Sequence, residues 1–134
     1  MSKNTLIEAD KTYAIIGACM AVHRTLGVGF LESVYNEALA KELTKRKIPF
    51  EREKKLYLYY NGEKMNKHFK ADFVCYNSII LEIKSKNSLI KVDEQQIINY
   101  LKATNHEVGL LVNFGEKSLK YKRFINTRKD DYTD

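Results

Sequence analysis

One stretch of the sequence decides the predicted fold: Asp72-Phe73-Val74-Cys75-Tyr76-Asn77-Ser78-Ile79-Ile80-Leu81-Glu82-Ile83-Lys84. Side chains alternate between the two faces of a strand. A three-residue turn over 76–78 would put Asp72, Val74, Ile80, Glu82 and Lys84 on one face and Phe73, Cys75, Ile79, Leu81 and Ile83 on the other. A two-residue turn at Asn77-Ser78 would mix polar and apolar side chains on both faces. We therefore expect a β-hairpin with the longer turn, in which Asn77 takes the left-handed conformation.

The residues around this hairpin predict further helices and strands. Apolar spacing indicates a helix over Thr5–Leu26, with Leu6, Tyr13, Ile16, Met20 and His23 on one stripe, and a second over Phe30–Lys47. Period-two patterning begins at Phe50, and Asn61-Gly62 is a hairpin turn signal. The remaining elements are strands at Lys64–Cys75, Ile79–Ser85, Val108–Phe114 and Tyr121–Ile125, and a helix at Val92–Thr104. The order of these elements predicts an α/β fold with a mixed sheet, as in α+β proteins, and with helices on the faces of the sheet.

Composition and charge set limits on the class of protein. The 134 residues are 44% hydrophobic and 30% charged, which fits one globular domain over 1–134 with a frayed tail from Asn126. A net charge of +6 suits a phosphate-rich partner without proving one. Cys19 and Cys75 match no zinc or redox spacing, and no signal peptide or membrane span is evident. These features predict a cytoplasmic protein that does not enter a membrane.

The predicted hairpin register has a chemical consequence. It makes Asp72 and Glu82 direct cross-strand neighbours, with Cβ atoms about 4.5–5.5 Å apart. Two carboxylates so placed repel each other unless a cation offsets them, and hard oxygen ligands favour Mg²⁺ or Mn²⁺. Lys84 lies one pleat away, where it could stabilise charge on a phosphoryl oxygen. The alternative is a plain exposed ion pair between Glu82 and Lys84. A second Glu-x-Lys, at Glu53-Lys54-Lys55, lies in a charged stretch, and we interpret it as solvated surface.

Several motifs together resemble one protein family. Gly29-Phe30-Leu31-Glu32-Ser33-Val34-Tyr35 matches the signature that names the GxxExxY family. The same family is resembled by Val22-His23-Arg24, Asn36-Glu37-Ala38-Leu39, Asp72, Glu82-Ile83-Lys84, Gln96-Ile97-Ile98-Asn99-Tyr100-Leu101 and Leu110-Leu111-Val112-Asn113-Phe114-Gly115. The resemblance covers roughly Leu6 to Ile125.

The GxxExxY family is placed in the PD-(D/E)xK nuclease superfamily, near its RecB-like and lambda-exonuclease-like branch. The resemblance implies a restriction-endonuclease-like αβββαβ core. It also implies a metal site formed by Asp72, Glu82, Glu32 and the Ile83 carbonyl, with Lys84 as the catalytic lysine. Ala71 stands where the superfamily name promises proline, a position that often varies. Some relatives carry a four-cysteine iron–sulfur cluster, but two distant cysteines make no cluster here.

The resemblance also singles out residues for which packing is the alternative. Gln96 and Tyr100 match a Gln-x-x-x-Tyr motif, in which Gln96 would join the catalytic residues; for Tyr100 the alternative is core packing. Glu32 is either a third metal ligand or an acid favoured by the start of a helix. His23 is a possible metal ligand or a cation at a helix end, and Tyr35 is expected to pack. The tyrosines within Leu56–Tyr60 could stack on bases, although an ordinary strand face explains them as well.

Two functions fit these features. The first is a Mg²⁺- or Mn²⁺-dependent nuclease that hydrolyses phosphodiester bonds, in DNA more than in RNA, by attack of a water molecule that the metal activates. The second is a non-catalytic module of the same fold that binds nucleic acid or a protein. A nuclease of this size could dimerise, forming a homodimer, or rely on a partner protein.

Overall fold

The computed structural model describes residues 8–126, which form three helices and five strands in the order ααβββαββ. The helices are α1 (Ala9–Leu26), α2 (Glu32–Lys45) and α3 (Lys91–Thr104), and the strands are β1 (Phe50–Tyr60), β2 (Glu63–Cys75), β3 (Ile79–Lys84), β4 (Val108–Asn113) and β5 (Lys120–Ile125). The predicted elements are confirmed with small differences at their ends; the predicted helical residues 5–7 lie outside the described part.

The five strands form one mixed sheet in the order β1-β2-β3-β4-β5. β1, β2 and β3 are antiparallel neighbours, β4 is parallel to β3, and β5 is antiparallel to β4. The parallel pair follows from the connection through α3, since parallel strands need a long crossover. Every residue of β4 is buried, as expected for a strand inside the sheet. Over 8–126, no helix is both long enough and apolar enough to cross a membrane.

Both predicted turns are confirmed. The β2–β3 register pairs Phe73 with Leu81 and Cys75 with Ile79, which leaves the three residues 76–78 in the turn. Asn77 has the expected left-handed conformation, with φ of 64°, and Tyr76 shares it at 54°. Asn61 and Gly62 also have positive φ, of 50° and 81°, as a two-residue hairpin turn requires.

The sheet has an apolar core on each face. The face carrying Phe73, Cys75, Ile79, Leu81 and Ile83 packs against α1 and α2, and all five side chains are fully buried. The other face, with Val74 and Ile80, packs against Leu101 of α3. A Cβ on Gly109 of β4 would lie 3.0 Å from Ile97 and 3.2 Å from Leu101, so glycine permits the close approach of α3.

The regular alternation of side chains along β2 is interrupted at Asp72. Phe69 and Ala71 would share a face with Phe73 in a regular strand, yet they lie in the core beneath α3. On β1, the residue opposite Asp72 is Glu53, which has a left-handed φ of 49°. The side chains of the β1–β2 hairpin therefore exchange faces at the position where Asp72 stands.

Two expectations were wrong. The stripe predicted for α1 is not its buried face: Tyr13 is 82% exposed and Met20 is 40% exposed. The helix instead buries Thr12, Ile15, Ala18, Cys19 and Val22. Asn126, which we assigned to a frayed tail, is buried. Its backbone N–H donates to the Glu107 carbonyl, and its side-chain amide donates to the backbone carbonyls of Leu101 and His106. The rest of the predicted tail, 127–134, lies outside the described residues.

Candidate functional site

Asp72 and Glu82 interlock across the open end of the β2–β3 ladder. The Asp72 N–H donates to Glu82 Oε2 at 2.9 Å, and the Ile83 N–H donates to Asp72 Oδ2 at 2.8 Å. The last backbone pair of the ladder is Phe73 with Leu81, so the strands separate where these two carboxylates begin. Each carboxylate therefore accepts a backbone N–H that a carbonyl of the neighbouring strand would accept in a regular ladder. These hydrogen bonds to the backbone fix the positions of both carboxylates.

The electrostatics of the pair are unfavourable. Burial, and then the negative charge of Asp72, raise the pKa of Glu82 from 4.5 to about 8. Burial likewise raises the pKa of Asp72, against the opposing effects of the Ile83 N–H and Lys84. A perturbed carboxylate pair beside a lysine is typical of a functional site. The cross-strand neighbourhood predicted for Asp72 and Glu82 is thus present.

Glu32 lies close enough to this pair for their charges to act on it. Burial, and then Asp72, raise the pKa of its carboxyl group, while Lys84 lowers it. Two features position it: Gly29 has a φ of 103°, which other residues rarely adopt, and the Ser85 hydroxyl donates to the Phe30 carbonyl at 2.8 Å. The loop before α2 is thereby tied to the chain that leaves β3, and Glu32, the first residue of α2, lies beside the carboxylate pair.

Tyr35 fixes the same loop from inside the core. Its side chain is fully buried, stacks on Phe114 with ring centroids 4.8 Å apart, and donates its hydroxyl hydrogen to the Gly27 carbonyl. The Phe30 N–H donates to the same hydroxyl at 3.4 Å. Tyr35 therefore holds the loop that carries Glu32 rather than facing the carboxylates.

Sequence reasoning missed the influence of Glu53. Its side chain is exposed, in agreement with a solvated surface, but its charge also contributes to the raised pKa of Asp72. The signal was the β1–β2 register, because Arg52 pairs with Phe73 and Lys54 with Ala71, which leaves Glu53 opposite Asp72. That register depends on the length of the hairpin, and a bulge between Tyr57 and Tyr59 alters it in a way the pattern did not reveal.

A second polar cluster, also missed, lies where β4 ends next to β3. The fully buried Asn113 side chain accepts from the Lys86 and Gly115 N–H groups, and its amide donates to the Lys86 carbonyl and to Glu116. Lys86 Nζ in turn lies 2.7 Å from Asp93 Oδ2. Together these contacts hold the chain that follows Lys84. The signal was Asn113 itself, a polar residue that ends a wholly apolar strand.

Comparison with known proteins assigns the chain to a family. The model of the PD-(D/E)XK nuclease superfamily matches residues 9–124, which include every carboxylate described above. The chain belongs to that superfamily. The crystal structure of SSO0001 is similar at 20% identity with a TM-score of 0.55, over 70% of this chain and 49% of that one. This chain thus spans about half the length of SSO0001, and the likeness confirms the restriction-endonuclease-like fold. No curated protein matches the chain.

The other residues proposed for a PD-(D/E)XK site, His23, Gln96 and Tyr100, make contacts of their own. His23 Nε2 lies 2.8 Å from the Glu116 carbonyl, so that nitrogen carries the proton and the ring ties α1 to the loop after β4. Tyr100 stacks on Phe69 with centroids 3.7 Å apart, and Gln96 donates to its hydroxyl at 3.2 Å. Gln96 and Tyr100 therefore share a helix face, as their spacing predicted. Tyr100 makes the packing contact that was the alternative for it.

The donor set fits a hard divalent cation. Within 8–126, no three His, Cys, Asp or Glu side chains form a group that could hold a metal ion as they stand. Mg²⁺ does not require three, because it is usually held by one or two carboxylates and keeps several waters. Asp72 and Glu82 each use one oxygen in a backbone hydrogen bond and have a second oxygen to offer. A cation there would also offset the repulsion that raises the pKa of Glu82.

Proposed function

We propose that the protein is a metal-dependent nuclease that hydrolyses phosphodiester bonds in DNA. The observation that carries the proposal is the interlocked Asp72–Glu82 pair beside Lys84, in which burial raises the pKa of both carboxyl groups and the charge of Asp72 raises that of Glu82 further. A structural ion pair would bring opposite charges together, whereas this arrangement brings like charges together. Such repulsion inside a fold is retained where a ligand relieves it.

Each residue has a defined task in this proposal. Asp72 and Glu82 would hold Mg²⁺ or Mn²⁺ with the Ile83 carbonyl, and Glu32 would complete the set directly or through water. When bound, the ion would activate water and stabilise charge on the phosphate. Lys84 acts on both the carboxylates and the substrate: its charge lowers the pKa of Asp72, Glu82 and Glu32, and its ammonium group can donate to a phosphoryl oxygen as negative charge develops. Gln96 would orient the phosphate backbone from α3.

Within the superfamily we propose the GxxExxY family, in the RecB-like and lambda-exonuclease-like branch. The three residues that define its signature have separate physical reasons here. Gly29 supplies a φ of 103°, Glu32 begins α2 beside Asp72, and Tyr35 fastens the loop between them. These roles support the assignment because each of the three residue types is needed where it stands.

The proposal extends to setting and partners. A cytoplasmic location suits the two free, buried cysteines, Cys19 and Cys75. DNA is the proposed substrate, with RNA as the comparison in any assay. A homodimer or a partner protein would enlarge the surface that holds the substrate, and gel filtration of the purified protein tests the first option.

The deciding experiment measures cleavage by wild type, Lys84→Ala and Asp72→Asn. Single-stranded, duplex and branched DNA are incubated with Mn²⁺, Mg²⁺ or EDTA. We expect metal-dependent cutting by wild type and a loss of roughly 100-fold or more in both variants. Asp72→Asn keeps an oxygen for the Ile83 N–H, so its loss would reflect the missing charge. Lys45→Ala is the matched control, because this exposed lysine ends α2, about 20 Å from Glu32 along the helix.

Thermal melting with and without millimolar metal completes the test. A ligand that binds the native state raises the melting temperature, so wild type should gain stability and Asp72→Asn should gain less. Failure of wild type both to cut and to be stabilised would contradict the proposal and favour a fold used only for binding. Equal cutting by wild type and Lys84→Ala would remove Lys84 from the site.

A further inference from the structure

The β1–β2 hairpin extends well beyond the rest of the sheet. β1 and β2 have 11 and 13 residues, whereas each of the other strands has six. Only residues 73–75 of β2 pair with β3. We call residues 54–70 the outer hairpin. α3 supports it from one side, through Phe69 stacked on Tyr100 and through Leu56 and Leu101 in the same core.

An open cleft lies between the tip of the outer hairpin and the last turns of α3, with a volume of about 1070 Å³. We call it the distal cleft. Its polar and aromatic lining includes Tyr59, Tyr60, Asn61, Asn99, Lys102 and Asn105. Pockets for drug-sized ligands occupy about 300–1,000 Å³, so the distal cleft has room for one or two nucleotides.

The lining suits unpaired nucleotides in three respects. Tyr59 is 48% exposed and Tyr60 is 68% exposed, so aromatic surface is available for stacking. Lys102 supplies a positive charge, and the three asparagine amides supply donors and acceptors for base edges. None of the residues that line the cleft is acidic. Stacking on aromatic side chains beside cationic groups is the usual chemistry of single-strand binding.

The outer hairpin beside the distal cleft is also positively charged. Residues 54–70 contain five lysines and a single acidic residue, Glu63. Lys64 lies 3.9 Å from the centroid of the Tyr57 ring, and the ring of His68 meets Tyr57 edge to face. A strand face with no ligand would need no excess of lysine. A strand that runs along a phosphate backbone needs positive charges to neutralise the phosphates.

We propose that the distal cleft binds unpaired nucleotides of the substrate strand, with Tyr59 and Tyr60 as stacking platforms. Tyr59 lies six residues along β1 from Glu53, which stands opposite Asp72. That interval is roughly 20 Å at about 3.3 Å per residue. The outer hairpin thus holds the strand about 20 Å from the carboxylates, and the cleft favours substrates with an unpaired stretch of that length. The identification of these nucleotides as substrate rests on the proposed nuclease function, whereas binding itself does not.

The test measures binding in EDTA, so that no cutting occurs. Fluorescence anisotropy compares a labelled single-stranded DNA, its duplex and an RNA strand of the same sequence. We expect Tyr59→Ala and Tyr60→Ala each to weaken single-strand binding at least fivefold, because stacking contributes about 1–3 kcal/mol per base. Tyr60→Phe keeps the ring and should bind as wild type does. Tyr13→Ala is the matched control, since Tyr13 is a tyrosine on α1 that is more exposed than Tyr59 or Tyr60.

The outcomes separate this proposal from the nuclease function. If the alanine variants bind single strands as tightly as wild type, or if wild type binds none, the distal cleft is not a nucleotide site, whatever the cleavage assay shows. If the variants lose binding while wild type cuts no substrate with any metal, the cleft proposal stands and the nuclease proposal fails. Equal losses on the duplex would contradict stacking on unpaired bases. The DNA and RNA arms show which strand the cleft favours.

Discussion

Two polar clusters lie side by side at the edge of the sheet where β3 and β4 end, and they are built in opposite ways. In the cluster around Asn113, donors meet acceptors and opposite charges meet. Burial alone would raise the pKa of Asp93, but hydrogen bonds from Lys86 and from the Ile90 N–H outweigh it, and the pKa is lowered. In the cluster around Asp72, like charges meet, and burial and then the charge of Asp72 raise the pKa of Glu82 to about 8.

The difference indicates which cluster is structural and which is functional. A satisfied network stabilises the fold by itself, and removing any member leaves a buried group unpaired. A cluster of like charges destabilises the fold, and it persists where function requires it. Lys84 stands between the two, since its charge lowers the pKa of both Asp72 and Asp93. Substitutions in the two clusters should therefore change stability in opposite directions.

The largest change in the free energy of unfolding is expected for Gly115→Ala, next to the Asn113 cluster. A Cβ there would lie 2.2–2.7 Å from backbone atoms of Lys86, which Asn113 holds in place, so one segment must shift. Overpacking usually costs about 1–3 kcal/mol, and with the hydrogen bonds also disturbed we expect a loss of roughly 3 kcal/mol or more. Urea unfolding at fixed pH measures it.

Gly17→Ala is the control for that measurement. Gly17 lies inside α1, and a Cβ would meet the flexible end of Arg46 at 3.3 Å. Alanine in a helix interior stabilises by about 0.5–1 kcal/mol relative to glycine. If Gly115→Ala unfolds at the same urea concentration as wild type, the loop after β3 is not rigidly held and the comparison of the two clusters fails.

On the functional side, Glu82→Gln should stabilise the metal-free protein at alkaline pH. The folded-state pKa of Glu82, about 8, lies above its ordinary value of 4.5. The folded protein therefore binds the proton more tightly than the unfolded chain does, and wild-type stability should fall as pH rises from about 4.5 to 8. We expect a fall on the order of a few kcal/mol in EDTA, and a flatter profile for Glu82→Gln, from denaturant unfolding at a series of pH values.

Glu51→Gln is the matched control for the pH series. Glu51 forms an exposed surface pair with Lys54 at 2.6 Å, and such pairs contribute little to stability. Its profile should follow that of wild type. A wild-type stability that rises from pH 5 to 8 would mean that burial and the charge of Asp72 do not keep Glu82 protonated, and the Asp72 cluster would then lose its distinction from the Asn113 cluster.

The sequence predicted the facing of Asp72 and Glu82 because a hairpin allows few alternatives. A slip of one residue would have moved every polar side chain of the hairpin into the core, and the left-handed Asn77 fixed the turn length. α1 had no such constraint. Its residues 14–22 are apolar or small on every side, so the choice of buried face depended on how α1 and α2 pack, and the predicted stripe through Tyr13 was wrong.

The contacts between distant segments were beyond the sequence for a related reason. The bond from Ser85 to the Phe30 carbonyl and the network from Asn113 to Lys86 join segments 55 and 27 residues apart. The periodicity of apolar residues predicts the face of a helix or strand on which a residue lies, but it does not predict which distant loop that residue contacts. The exposed tyrosines of β1 could likewise be assigned to the distal cleft only once the end of α3 lay beside them.

The smallest effect should come from Asp93→Ala, and its pH dependence distinguishes the clusters. Asp93 accepts from the Ile90 N–H at 2.9 Å and pairs with Lys86, so its loss should destabilise by about 1 kcal/mol, as for other helix-capping residues. Because its folded-state pKa lies below 3.8, its contribution is complete above that pH and is lost only as pH falls further. The difference from wild type should therefore be constant between pH 5 and 8, the range in which Glu82→Gln departs from wild type. An Asp93→Ala difference that grows with pH over this range would mean that the two clusters titrate as one.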